Sequence, residues 1–200
     1  MIVRYPECII EQMKNEKYNE QIDFTFRYPK RNNVIKYIID HINPKDNVII
    51  LCHRIEHLKN IQSYLIEHYP NKPIFVVYGK TEAEEREETR QLIEKMDGAI
   101  LLGSYGTMST GVNIKKLHHV IFASSYKSKI KVLQSIGRGL RLHKDKFQLI
   151  LWDIVDDMTW IKRTGNRGKN FVYEHFLMRL KYYKDQGFNY VNRMLDIEKI

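Results

Sequence analysis

Apolar residues fall along this chain in two alternating patterns. Unbroken runs occur at Val48–Cys52, Ile74–Tyr78, Ala99–Gly103 and Val120–Ala123, and one broken only by Asp153 at 149–154. Between them the apolar residues recur at helical spacing, in Val34, Ile35, Ile38, Ile39 and Ile42, and then in Leu58, Ile61, Leu65 and Ile66 of a helix from about Glu56 to Tyr69. An acidic helix is predicted over Glu82–Met96, and a further one carries Ile130, Leu133 and Leu140. Runs without polar alternation are strands of a parallel sheet covered on both sides. The order β-α-β-α therefore predicts an α/β domain with a doubly wound, mainly parallel sheet and helices on both faces. Ligands of such sheets gather at the carboxyl ends of the strands.

The flanks read differently. Residues 1–28 form a lead-in of mixed pattern, with Asp23–Arg27 as a candidate short strand, and residues 29–157 hold the α/β domain. The last part, 158–200, begins with a polar, basic loop up to Lys169. It continues with a helix over Phe171–Lys184, with Phe171, Phe176, Leu177 and Leu180 as its apolar points, and closes on a short helical tail from Asn189.

Charge changes the picture more than composition does. The chain carries 43% hydrophobic and 28% charged residues, and its apolar runs are too short to span a bilayer. The start Met-Ile-Val-Arg-Tyr-Pro-Glu lacks a signal-peptide pattern, and only Cys8 and Cys52 supply thiols, so a cytoplasmic site and no membrane partner are expected. The net charge of +9 is uneven. Lys127–Lys146 holds seven Lys or Arg against Asp145, whereas Glu82–Asp97 holds seven acidic residues against three basic ones. A basic stretch of this density suits nucleic acid or nucleotide phosphate.

Within that stretch, Gln134-Ser-Ile-Gly137-Arg138-Gly-Leu-Arg141 reads as a helix with Gln134, Arg138 and Arg141 at i, i+4 and i+7. Two guanidiniums on one stripe present rigid donor forks to a phosphate chain. The segment from Gly103 to Asn113 places three glycines and four hydroxyl residues directly after an apolar run, as a loop suited to phosphates. Gly79-Lys80-Thr81 imitates a phosphate-cradling Walker loop, but the first glycine of that motif would fall on Ile74, inside a strand. His53 and His57 are four apart without a third metal ligand, and read as surface histidines.

Taken together, these segments resemble the superfamily 2 helicases. Gln-x-x-Gly-Arg-x-x-Arg at 134–141 resembles their motif VI, Gly103–Asn113 their motif V, Leu51-Cys-His-Arg54 motif IV, and Tyr78-Gly-Lys-Thr81 with Glu84-Glu-Arg86 motif IVa. The likeness runs over roughly residues 20–195 and is nearest to phage helicases that remodel branched replication and recombination intermediates. It implies the second of two RecA-like domains. By that likeness Arg141 is an arginine finger, Arg138 reaches the γ-phosphate, Gln134 orients both, and Gly111, Asn113 and Gly137 lie near the nucleotide. Asn113 stands where the family carries Asp, keeping a hydrogen-bonding group without its charge. Arg54, Gly79, Ser104, Tyr105 and Thr107 would touch nucleic acid.

ATP and Mg²⁺ would then be held mainly by a first RecA-like domain, in cis or in trans, and the chain alone would be inactive for want of Walker A and B motifs. Its partners would be DNA and RNA–DNA hybrids, forked or branched, in the host cytoplasm if the gene is a phage's. Two other classes stay open on the residues themselves. One is a nucleic-acid-binding module without ATP chemistry, and the other a small-molecule enzyme using the glycine-rich strand ends, for which no general base stands out.

Overall fold

The computed structural model describes residues 1–110, 114–125, 148–168 and 170–200. In chain order its elements are β1 (Ile2–Arg4), α1 (Glu7–Met13), α2 (Tyr18–Arg27), α3 (Arg31–Asp40), β2 (Val48–Cys52), α4 (Ile55–His68), β3 (Ile74–Val77), α5 (Ala83–Lys95), β4 (Ile100–Ser104), α6 (Tyr105–Thr110), β5 (His119–Phe122), β6 (Ile150–Asp153), β7 (Val155–Asp157), α7 (Phe171–Asp185), β8 (Met194–Asp196) and a 3₁₀ turn, Ile197–Lys199. They fall into two compact units, one holding the described residues of 35–123 and 148–153, the other those of 1–34, 124–125 and 154–200.

The first unit is built on a five-stranded sheet of order β3-β4-β2-β5-β6, parallel throughout, with helices on both faces as the apolar runs predict. β2 sits at its centre, and every residue from Val48 to Cys52 is buried. That is why its sequence shows no polar alternation: neither side of the strand meets water. α4 turns Leu58, Ile61 and Leu65 inward. Ile66, one position round from Leu65, is 52% exposed, so the inward stripe is narrower than the sequence suggests. His57 is buried rather than on the surface, because it shares the face of Leu58 and Ile61.

The second unit carries a three-stranded parallel sheet, β7-β1-β8. β1 lies between strands from the far end of the chain, with Ile2 opposite both Val155 and Met194. The expected helical tail after Asn189 is therefore corrected: Met194–Asp196 is extended and paired, and only Ile197–Lys199 coils. Asp23–Arg27 is likewise no strand. Its Phe24 and Phe26 alternate like strand residues, but the buried set of α2 is Gln21, Ile22, Thr25 and Phe26, at i and i+4. In α7 the buried positions are Val172, Phe176, Arg179 and Tyr183, while Leu177 is 48% exposed.

Two polar knots hold this unit. Arg31, wholly buried, donates from Nε and Nη2 to the two oxygens of Asp156 at 2.5 and 3.1 Å, and the Tyr5 hydroxyl donates to the same carboxylate at 2.7 Å. A buried ion pair must have its remaining valences met or it costs more than it returns; Tyr5 meets one. Burial, with Asp156 beside it, pushes the Tyr5 phenol well above its usual range. The second knot is Asn170. Its Oδ1 caps α7 by accepting from Tyr173 N at 3.2 Å, and its Nδ2 donates to Gln21 Oε1 at 3.0 Å.

Candidate nucleic-acid interface

In a parallel sheet all strands end at the same edge, and register tells how closely their ends align. Cys52 of β2 lies opposite Ser104 of β4, Val77 of β3 opposite Gly103, Leu51 opposite Phe122 of β5, and Phe122 opposite Asp153 of β6. Arg54, Gly79, Ser104, Tyr105 and Thr107 thus follow or end neighbouring strands on one edge of the five-stranded sheet. Residues up to 53 positions apart in sequence, Arg54 and Thr107, are brought together by strand order alone.

Arg54 is the N-cap of α4, in extended backbone, and makes no side-chain capping bond. Stability would favour Ser, Thr, Asp or Asn there. A half-buried guanidinium at the positive end of a fourteen-residue helix instead doubles up positive charge, an arrangement that favours an anion.

After β3 the chain makes a tight turn. Thr81 N donates to Tyr78 O at 2.8 Å, Tyr78 N donates to Thr81 Oγ1 at 3.1 Å, and Arg86 Nε donates to Thr81 O at 2.8 Å. This leaves Gly79 and Lys80 exposed at the tip. A Cβ on Gly79 would meet nothing within 4 Å, and the residue is not in the left-handed region. Nothing among the described residues calls for glycine there. The Thr81 hydroxyl is turned into the bend, and α5 begins only at Ala83, behind Glu82. The segment therefore has neither the loop nor the helix start of a phosphate cradle. Sequence reasoning names Gly79 and passes over Lys80, although Lys80 lies within the motif IVa resemblance as well as the imitation of a Walker loop.

The third contributor is corrected in form. What reads as a glycine- and hydroxyl-rich loop after β4 becomes the single helical turn and a half of α6. Thr107 N donates to Ser104 Oγ at 3.2 Å, and the two hydroxyls lie 2.8 Å apart, so Ser104 caps this helix. Thr107 is buried, and Tyr105 is only 2% exposed with its ring edge-on to Phe122 at 5.5 Å between centroids. The structure thus places the Tyr105 ring in the core, under the edge. Of residues 103–107, exposed Gly106 and half-buried Ser104 are the ones that reach solvent.

Gln134, Gly137, Arg138, Arg141, Gly111 and Asn113, and with them the basic cluster of Lys127–Lys146, lie outside the described residues. Among the described residues no three His, Cys, Asp or Glu side chains come together that could hold a metal ion. No helix among them is long and apolar enough to cross a membrane.

The family described as helicase conserved C-terminal domain matches residues 29–143. The ATP-dependent DNA helicase UvsW of Enterobacteria phage T4 is 32% identical over 98% of this chain, and the chain spans 40% of that helicase's length. The crystal structure of T4 UvsW superposes with a TM-score of 0.81 at 33% identity, again over 98% of this chain and 40% of that one. Domain 2 of the DEAD-box helicase Mss116p, solved on an RNA duplex, shares the fold with a TM-score of 0.56 at 17% identity, over 78% of this chain and 54% of its own. With the strand-end residues and the family match falling on the same sheet, the chain belongs to the helicase C-terminal domain family of superfamily 2, as a UvsW-like member.

Proposed function

We propose that the chain is the second motor domain of an ATP-dependent DNA and RNA–DNA helicase that remodels forked and branched replication and recombination intermediates. The observation that carries the reading is that the family match, residues 29–143, takes in both the strand-end set Arg54, Gly79, Ser104 and Thr107 and the segment Gln134–Arg141. In this reading the exposed Gly79–Lys80 turn and Arg54 bind nucleic-acid phosphates without reading bases. Ser104 and Thr107 shape the neighbouring backbone, and Tyr105 holds it from below. ATP is the substrate, held together with Mg²⁺ mainly by a first RecA-like domain in cis or in trans. Arg141 stabilises charge developing on the transferred phosphoryl group, Arg138 lies beside it, Gln134 orients them, and Gly111, Asn113 and Gly137 border the nucleotide.

The test is DNA-stimulated ATP turnover of this chain joined to such a first domain. An arginine finger contributes about 10³ to 10⁵ in rate, so Arg141→Ala is expected to lower kcat by at least about 10³ while nucleotide affinity stays within a few-fold. The chain alone hydrolyses ATP no faster than background. If Arg141→Ala instead weakens DNA binding and leaves kcat at saturating DNA unchanged, the arginines are nucleic-acid contacts and the chain is a binding module without ATP chemistry.

A further inference from the structure

Two helices of the first unit end alike. α3 stops at Asp40 before β2 and α4 at His68 before β3, so both C-termini lie on the strand-beginning side of the sheet. His41, just past the end of α3, stacks on Tyr37 at 4.1 Å between centroids, and His68 stacks on Tyr64 at 4.0 Å. His41 Nδ1 lies 2.7 Å from Tyr37 O, and His68 Nδ1 lies 2.8 Å from Tyr64 O. A carbonyl oxygen only accepts, so in each bond Nδ1 carries the proton. The neutral ring then keeps Nε2 as an acceptor at its far end, and both histidines are exposed.

The two ends form one surface. The Tyr69 hydroxyl donates to Asp40 Oδ1 at 2.6 Å and lies 3.3 Å from Lys36 O, while Lys36 Nζ donates to Asp40 Oδ2 at 2.6 Å. Burial raises the Tyr64 phenol above its usual range, with Lys36 opposing and Asp40 reinforcing, which sets Tyr64 beside the same pair. A helix C-terminus is already negative, and stability favours a cation in the last turn. α3 has none there and ends on Asp40, and the last turn of α4 carries exposed Glu67 with His68 as its one basic residue. The ammonium of Lys36 is engaged by Asp40, so carboxylates and helix ends together leave the surface short of positive charge.

We propose that the adjoining ends of α3 and α4 dock an arginine-bearing segment of another protein, its guanidiniums donating to the Nε2 atoms of His41 and His68 and to Glu67. The groups named accept and do not donate, and the helix ends add negative potential, so the complement is a cationic donor. A phosphate chain or an acidic segment would bring further acceptors and negative charge, which sets this surface apart from the nucleic-acid edge. Arginine suits it better than lysine, because its planar fork reaches two acceptors at once and its face packs on aromatic rings. The proposal does not rest on the helicase reading, and it concerns the helix ends, not the strand starts themselves.

The experiment is fluorescence anisotropy of the full chain with a labelled peptide of alternating arginine and serine, and with the same peptide carrying lysine for arginine. Wild type is expected to bind the arginine peptide at least about fivefold tighter than the lysine peptide. The double variant His41→Ala with His68→Ala should lose about fivefold or more in affinity for the arginine peptide. Glu84→Gln with Glu88→Gln, on the exposed acidic face of α5, should leave it within about twofold. A second readout needs no variant: in long-range ¹H–¹⁵N spectra of wild type, the ring Nε2 signals of His41 and His68 shift on adding the arginine peptide, while that of His119, which faces Asp46, does not. Equal affinity for the two peptides, no binding of either, loss in the α5 variant in place of the histidine variant, or unmoved His41 and His68 signals would each overturn the proposal. Concentration-dependent self-association of wild type that the histidine variant abolishes would give the surface to a second copy and overturn it as well.

Discussion

The two edges of the five-stranded sheet use polar residues in opposite ways. At the edge where the strands begin, Asn47 is fully buried, and its Nδ2 donates to Ile93 O at 3.1 Å, Met96 O at 3.0 Å and Lys116 O at 3.0 Å, while Oδ1 accepts from Ala99 N at 2.9 Å. One side chain thereby ties the end of α5, the start of β4 and the approach to β5. Beside it, His119 Nε2 lies 3.0 Å from Asp46, and Trp152 Nε1 donates to His119 Nδ1 at 3.1 Å. At the edge where the strands end, Arg54 stands half-buried at a helix start, Lys80 is exposed at a turn tip and Gly79 faces open space. Polar groups that complete one another hold a fold. Exposed polar groups such as Lys80 stay open to a ligand.

Two glycines sharpen the contrast. Gly98, at the beginning edge, has φ of 69°, and a Cβ there would lie 2.4 Å from Pro44 O. Its reason is internal. Gly79, at the ending edge, has none among the described residues, and close approach of a bound backbone would supply one.

Exchanging these features breaks the comparison if it is wrong. The largest effect is expected from Asn47→Ala, which leaves several buried main-chain groups without partners at about 1–3 kcal/mol each. Urea unfolding should show a loss of at least about 3 kcal/mol. Gly98→Ala follows, at about 2 kcal/mol or more from the left-handed backbone and the collision with Pro44, read by the same unfolding curves. Arg54→Ala is expected to leave stability within about 0.5 kcal/mol and to weaken single-strand binding, with the salt slope lower by about 0.7. Gly79→Ala leaves stability equally unchanged, and the same titrations show a several-fold loss of affinity. A loss of stability in place of affinity would return Gly79 to the fold.

His119 adds a pH dependence confined to the beginning edge. Burial lowers its pKa, opposed by Asp46, and the Trp152 N–H leaves Nδ1 as an acceptor, so the ring is held neutral with Nε2–H facing Asp46. His118 Nδ1, 4.0 Å from Asp46, adds no donor to the ring. A folded-state pKa below the unfolded one means that the unfolded chain takes up the proton first. Stability is therefore full above about pH 6.5, the ordinary histidine value, and falls as pH drops toward the lowered pKa. Unfolding midpoints between pH 7.5 and 5 should show the decline, and His119→Gln should flatten it. A midpoint that rises on acidification would reverse the assignment of the neutral ring.

The sheet was legible because burial on both faces leaves a run such as Val48–Cys52 no polar position, and because Leu58, Ile61 and Leu65 keep helical spacing. The second unit was not. β1 and β8 are three residues each, pair with segments over 150 positions away, and carry no local pattern that tells strand from helix. α2 buries Gln21 and Thr25, so its inward stripe is half polar and escapes any count of apolar residues. At the candidate site, Arg54 and Gly79 were legible from motif resemblance. The burial of Tyr105 was not, since a tyrosine after a strand end reads equally as a stacking ring or, as here against Phe122, as core.

The central claim, that the strand-ending edge works and the strand-beginning edge holds, is tested most directly by hydrogen exchange of the chain with and without single-stranded DNA. Amides of residues 54–55, 79–81 and 104–107 should gain protection on binding, while those of 47–48, 98–100 and 118–119 stay unchanged. Protection gained at the second set, or unchanged exchange at the first set under conditions where DNA is bound, would contradict it.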